Sequence, residues 1–276
     1  MSSNLPSIAI IGAGAMGGAI LSGLLAPDVT VSGGIRVTNR TEAKAALVRG
    51  DGVESFALES TPDANLRAVT GASIVLLGVK PAMVPETLAG IAPALDAAAI
   101  VISVAAGVTT ATMEAIVPNV VLRAMPNTPA IVGRAVTGLC AGSRASADQL
   151  ALGRALFETV GTVVEIPESQ IDALGTISGS GPAYVFYLIE ELTRTAVNLG
   201  FTLEQAAVLV NGTFLGAAEL LDASDRSPEQ LRLQVTSPNG TTERAIGVLQ
   251  SADLSALFDR ATAAALVRAR EMARGL

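Results

Sequence analysis

Short, unbroken apolar runs alternate with amphipathic stretches through the first 166 residues, and the alternation then stops. Residues 7–11, 35–38, 74–79, 100–104, 136–140 and 161–166 read as strands. Several are apolar at consecutive positions, as strands buried on both faces of a parallel sheet are. Helical stretches lie between them. One covers roughly 16–25. Another starts at the N-cap candidate Thr41 and ends near Gly50, whose place suits a C′ glycine. A third is opened by Ser146-Ala147-Asp148-Gln149, a capping box. This is the pattern of βαβ units. After Pro167 no strand signal recurs. Pro182 starts a helical run to about Leu199, with Gly200 behind it. Thr202-Leu203-Glu204-Gln205 and Ser227-Pro228-Glu229-Gln230 are two further capping boxes, the second with Pro at the first helical position. A long last helix is expected over 255–274. Residues 206–221 are apolar on more than one face, which predicts a bundle core or a large subunit interface. No internal repeat or low-complexity linker interrupts the chain.

The first strand runs straight into Gly12-Ala13-Gly14-Ala15-Met16-Gly17, a complete G-x-G-x-x-G. The first glycine permits a tight turn, the second lets backbone approach a pyrophosphate, and the third lets the following helix pack on the strand. The helix N-terminus then offers free N–H groups and the positive end of a dipole. The motif alone also fits a glycine-rich turn that binds nothing, but its place between an apolar strand and a helix favours dinucleotide binding. The expected fold is therefore α/β: a Rossmann-like doubly wound sheet over 1–166, then an all-helical domain over 167–276.

Half of the 276 residues are AVILMFWYC, enough for a substantial core, and without Trp it must be filled by Ala, Val, Leu and Ile. A net charge of −7, with no basic run, argues against nucleic acid as a partner. The single Cys140 excludes an intrachain disulfide and fits a reducing compartment. The N-terminus lacks the basic flank of a secretory signal, and no segment offers about 18 uninterrupted apolar residues, so the chain reads as cytoplasmic with no membrane partner. Histidine is absent. That excludes a Ser-His-Asp triad and a His base, and with one Cys it leaves no metal site of the His or Cys type.

Six further places carry chemistry. The second strand ends at Thr38-Asn39-Arg40, where an NAD-binding unit usually has an acid for the ribose 2′-OH; an Arg and an amide there suit a 2′-phosphate instead, so NADPH is the expected cofactor, with NADH possible. Lys80-Pro81 and Ala105-Ala106-Gly107 stand at carboxyl ends of strands, where open α/β sheets bind ligands. Arg123-Ala124-Met125-Pro126-Asn127-Thr128-Pro129 is a stiff two-proline loop. In it Asn127 either presents its amide to a nicotinamide or simply belongs to a rigid connector. In the helical part, Ser178-Gly179-Ser180-Gly181-Pro182-Ala183-Tyr184 opens one helix. Thr236-Ser237-Pro238-Asn239-Gly240-Thr241-Thr242 opens another, and its hydroxyls and N–H groups suit a small carboxylate.

Together, in order and spacing, these motifs resemble the pyrroline-5-carboxylate reductase family over nearly the whole chain. The resemblance implies reduction of 1-pyrroline-5-carboxylate to L-proline with NAD(P)H, a homodimer through the C-terminal helices, and assembly of dimers into a higher ring. By matching position it implies that Ile11, Gly12, Ala13, Gly14, Ala15 and Met16 line the pyrophosphate. Asn39, Arg40 and Asn65 fall at the adenosine end. Gly78, Val79, Lys80, Pro81, Val104, Ala105 and Ala106 fall at the nicotinamide half. Glu168, Ser237, Asn239, Gly240, Thr241 and Thr242 fall on the substrate, a cyclic imino acid, with the Thr242 hydroxyl toward the ring nitrogen. The family turn usually reads Ser-Pro-Gly-Gly; here Asn239 replaces the first of those glycines, and Asn tolerates positive φ better than other side chains. Gln234 replaces an Asn found in some members.

The expected mechanism is direct hydride transfer to the imine carbon. Threonine is a poor acid, so Thr242 is expected to orient the nitrogen, and the rate to come mainly from near-attack geometry. A different cyclic imine is one alternative. A β-hydroxyacid dehydrogenase would need a Lys on the helical side, but the only lysines are Lys44 and Lys80. A non-enzymatic NADPH sensor would leave the 237–242 turn without a purpose.

Overall fold

The computed structural model describes residues 3–273. Eight strands form one sheet: β1 (Ile8–Ile11), β2 (Ile35–Asn39), β3 (Val53–Ala57), β4 (Ile74–Leu77), β5 (Ile100–Ser103), β6 (Val120–Met125), β7 (Ala135–Ala141) and β8 (Gly161–Glu165). Their spatial order is β8-β7-β6-β5-β4-β1-β2-β3. The pairs are parallel except β6 with β7. From β3 to β6 this is the 3-2-1-4-5-6 order of dinucleotide-binding sheets. The chain leaves β1 in one direction and returns to β4 on its other side, so a crevice opens beyond the carboxyl ends of β1 and β4. A two-stranded parallel ribbon, Ser3–Leu5 with Val29–Val31, is a separate sheet that packs on the same core.

Strand periodicity gives the sheet two apolar faces. Ile8 and Ile10 join one core with Ile20 and Leu24 of α1 (Ala15–Leu24) and with Leu156 and Phe157 of α6 (Ala147–Glu158). Ala9 and Ile11 join the other. There they meet Ala68 of α3 (Ala64–Val69), Val84 and Leu88 of α4 (Val84–Ile91) and Met113 of α5 (Thr110–Glu114). Each fully buried Ile or Leu contributes about 1.5–3 kcal/mol. Ser146 caps α6 with the expected capping box.

One local expectation changes, at Gly50, and two features go beyond the sequence reading. β3 is not legible as a strand because Val53-Glu54-Ser55-Phe56-Ala57 has neither a continuous apolar run nor a strict polar–apolar alternation; it lies at the sheet edge, with only β2 beside it. Gly50 is not a left-handed C′ residue: α2 (Glu42–Val48) ends at Arg49 in extended backbone, and Gly52, at φ +77°, makes the turn. After α7 (Ile171–Leu174) the chain forms a π-helical turn over Gly175–Gly179, a form often found at functional sites.

The chain divides into two compact units. The first runs to Ser180 and takes back the chain from Ala265 on; the second is Gly181–Ala264. Thus residues 167–180, beyond the last strand, stay with the sheet. The second unit holds α8 (Gly181–Asn198), α9 (Leu203–Asp222), α10 (Pro228–Gln234) and α11 (Thr241–Ser251). α12 (Leu254–Ala273) starts there and ends in the first unit; Arg274, expected as its last residue, lies outside the described residues. Both capping boxes, at Thr202 and Ser227, form. Inside the second unit only Ala196, Ala206 and Val210 make a buried cluster. Among the described residues no helix is long and apolar enough to cross a membrane.

Candidate active site

The crevice beside β1 and β4 is a cleft of about 480 Å³. It gathers Ile11, Gly12, Gly14, Asn39, Arg40, Asn65, Gly78, Val79 and Lys80 from four separate stretches of chain. The glycines explain how the walls meet. Gly12 sits at φ +89°, and a Cβ there would lie 3.0 Å from Val79. A Cβ on Gly17 would come within 2.8 Å of the Gly12 carbonyl, so α1 packs at this distance only with glycine. Gly14 is different. A Cβ there meets nothing within 4 Å, so its bareness serves no contact within the protein and leaves the cleft open. It is also the N-cap of α1, with no side-chain cap and no acid in the first turn. A helix end of this kind has unpaired N–H donors and suits an anion.

The charges agree. Arg40, Lys44 and Lys80 are the charged residues of the lining, and no carboxylate joins them, in a chain of net charge −7. Two amide atoms of the wall, Asn39 Nδ2 and Asn65 Oδ1, are buried without a partner. Open glycine, bare helix N-terminus, cations and spare amides fit a dinucleotide phosphate chain and its ribose.

The other proposed cofactor residues are distributed around this cleft. Ala13 and Ala15 line a neighbouring groove that also includes Gly14 and Lys44. Met16 packs on the core. Pro81 begins the turn after Lys80. Ala105 is buried, and Ala106 lines a smaller cavity of about 140 Å³ with Gly107, Arg123, Met125 and Asp172; Val104 packs on the core. Asn127 is buried, its amide donating to the Ser178 carbonyl at 2.9 Å and accepting from the Val136 N–H at 2.9 Å. It ties the stiff loop to the π-turn and is not among the cleft residues. Residues missed in the sequence include Thr41, Lys44, Met83 and Thr87. Lys44 had a signal: three residues past a helix N-cap, its side chain leans back toward that N-terminus.

In the first unit Glu168 accepts from the Thr110 N–H at 2.7 Å and its hydroxyl at 2.6 Å, and Arg123 bonds Asp172 at 2.7 Å. In the second unit the 237–242 turn opens α11. Asn239 takes φ +58°, the left-handed conformation that the missing glycine would have supplied. Its N–H donates to the Glu243 carboxylate at 2.8 Å. Gly240 is the N-cap and provides no side-chain cap, so the first N–H groups of α11, those of Thr241 and Thr242, are offered outward from an 11-residue helix. Burial pushes the Cys140 thiol up to about 11, helped by the nearby Glu168 charge, so this thiol is no nucleophile at neutral pH.

A doubly wound sheet with an anion-ready cleft at its switch point, followed by helices, defines a nucleotide-dependent oxidoreductase class. Residues 168–272 match the family model described as pyrroline-5-carboxylate reductase dimerisation, and 7–107 match that described as NADP oxidoreductase coenzyme F420-dependent. The chain is 39% identical to the pyrroline-5-carboxylate reductase of Pseudomonas aeruginosa over 98% of both chains. It is 38% identical to that of Corynebacterium melassecola over 98% of this chain and 100% of the other. A solved pyrroline-5-carboxylate reductase from Coxiella burnetii superposes with a TM-score of 0.88 at 38% identity, covering 98% of each chain. The Plasmodium falciparum pyrroline carboxylate reductase with NADP bound gives 0.80 at 25% identity, over 97% of this chain and 98% of that one. The chain belongs to the pyrroline-5-carboxylate reductase family.

Proposed function

We propose that this protein reduces 1-pyrroline-5-carboxylate to L-proline with NAD(P)H, the closing step of proline biosynthesis. The observation that carries the reading is the acid-free, cation-lined cleft at the glycine turn, in a chain of this family. A bound reduced nicotinamide supplies the hydride. The chain's own residues bind, orient and exclude water. Gly14, Ala15 and Met16 present the α1 N-terminus to the pyrophosphate, and Asn39 and Asn65 meet the adenosine end. Arg40 and Lys44 together make a 2′-phosphate receptor, which favours NADPH over NADH. Lys80, Pro81 and the 104–106 segment hold the nicotinamide half.

The α11 N-terminus, with Ser237, Asn239, Gly240 and Thr241, receives the substrate carboxylate. The Thr242 hydroxyl hydrogen-bonds the ring nitrogen and orients it, while water supplies the proton, since the chain has no histidine. The matched dimerisation region and the apolar surface of the second unit support a homodimer, with a ring of dimers as a further step.

Initial rates with 1-pyrroline-5-carboxylate and each nucleotide test this. Proline formation with a lower KM for NADPH is expected. Thr242→Ala is expected to lower kcat by roughly tenfold or more, with nucleotide affinity unchanged. Faster turnover with NADH removes the 2′-phosphate role from Arg40 and Lys44. No turnover by folded, NADPH-binding protein removes this substrate.

A further inference from the structure

The cavity of about 140 Å³ beside the loop after β5 has charges in its wall. Arg123 and Asp172 face it together with Ala106 and Gly107 of that loop, and Ala265 and Ala269 of α12 close it. The Arg123 side chain is only 4% exposed. A guanidinium withdrawn that far from water must be matched by carboxylates. Two stand beside it. Its Nη2 donates to Asp172 Oδ1 at 2.7 Å, and its Nη1 stands 3.5 Å from Glu168 Oε1. Asp172 is therefore its close partner. The shorter contacts of Glu168 are with Thr110, whose N–H and hydroxyl donate to its two oxygens at 2.7 and 2.6 Å. Those donors are neutral, so they hold the carboxylate without cancelling its charge.

One guanidinium against two carboxylates leaves a net charge of −1. Among the described residues no second cation reaches either carboxylate. The neighbouring elements add no further charge. α12 brings alanines to the cavity, and the Glu114 carboxylate of α5 is taken up by Ser143. The thiol of Cys140 on β7 feels the same group. Burial raises it first, the Glu168 charge raises it further, and Arg123 acts the other way. The Glu168 and Asp172 side chains are 28% and 30% exposed, so water screens them only in part.

The position of this charge gives it a use. Hydride transfer needs the accepting carbon about 3–3.5 Å from the donor. With residues 104–106 on the nicotinamide half, the imine ring lies beside the 105–107 loop and within reach of the field. A neutral imine gains little there. Its protonated form, a cationic iminium, is stabilised, and its carbon is the better hydride acceptor. The ring nitrogen takes that proton from water and keeps it as the N–H of the product.

We propose that Asp172 is a positioning residue: by engaging Arg123 it leaves the charge of Glu168 uncompensated, so that the site selects its substrate ring in the cationic, protonated form. This deepens the function proposed above and rests on its placement of residues 104–106.

The test is calorimetry on full-length protein saturated with NADP+. Two ring ligands are compared: L-proline, whose ring nitrogen is positively charged at neutral pH, and cyclopentanecarboxylate, which keeps the ring and the carboxylate but has no charge on the ring. The wild type is expected to bind L-proline roughly tenfold or more tightly. Asp172→Asn makes the group neutral. It is expected to weaken L-proline roughly tenfold and to leave both cyclopentanecarboxylate and NADPH within about twofold of the wild type. Asp172→Glu keeps the charge and is expected to keep the preference. Equal losses for the two ring ligands in Asp172→Asn would assign the residue to packing and overturn the proposal. So would an unchanged affinity for L-proline, or loss of the preference in Asp172→Glu. If Asp172→Asn does not fold, the wild type still decides against the proposal by binding both ligands equally. A wild type that reduces no imine and binds neither ligand removes the functional reading and this inference with it. One that reduces the imine without preferring the charged ring removes this inference alone.

Discussion

Cys140 lies on β7 and is 3% exposed. Its thiol is raised from 9.0 to about 11, first by burial and then by Glu168, with Arg123 acting the other way. The folded value is above the unfolded one, so stability is unaffected by this group below about pH 9 and is lost as pH rises toward 11. Folded protein is expected to react slowly with an aromatic disulfide reagent at pH 8 and to release its thiol rapidly in denaturant. Fast labelling without denaturant would show the site to be open. Asn239 illustrates what residue-level reading achieves. Its tolerance of positive φ was legible from its chemistry, and φ +58° is what the turn requires. Asn127 illustrates the limit. An amide in a stiff loop reads equally as ligand contact or as tie, and its two backbone partners, tens of positions apart in one case, are visible only in the fold.

The glycine turn and the helix it opens separate two uses of one residue type. Gly17→Ala places a methyl 2.8 Å from a backbone carbonyl that cannot swing aside, so α1 must shift. A loss of about 1–3 kcal/mol is expected, read as a lower Tm in calorimetry. Gly14→Ala meets nothing and adopts an ordinary φ of −72°, so Tm should stay near the wild-type value while NADPH affinity falls. Equal loss of Tm in both variants would mean that Gly14, too, is there for packing. At this scale the capping boxes and buried strands were legible because each depends on residues within a few positions. β3 and the π-turn were not. An edge strand is half polar, and a π-turn is a matter of how a helix is packed, not of its composition.

The second unit exposes much apolar surface. Phe186, Tyr187, Val208, Leu215 and Val248 are each at least 60% exposed, while its buried cluster has three residues. Exposed patches of this size mark an interface. Coupling of folding to association makes Tm depend on protein concentration. Sedimentation is expected to give a dimer or a multiple of it at micromolar concentration, with Tm rising on concentration. A monomer with constant Tm would remove the proposed assembly.

The sequence by itself determined the parallel sheet, the glycine turn at its first strand, the cation at the end of the second strand, the helical second half and the family, because periodicity, caps and motif spacing are local. Tertiary structure alone decided which of the spaced cations line the cleft, that Asn127 bonds Ser178 and Val136, and that Glu168 reaches Thr110. Those contacts join residues tens of positions apart, and no local pattern records which strand a loop will lie against once the sheet has assembled.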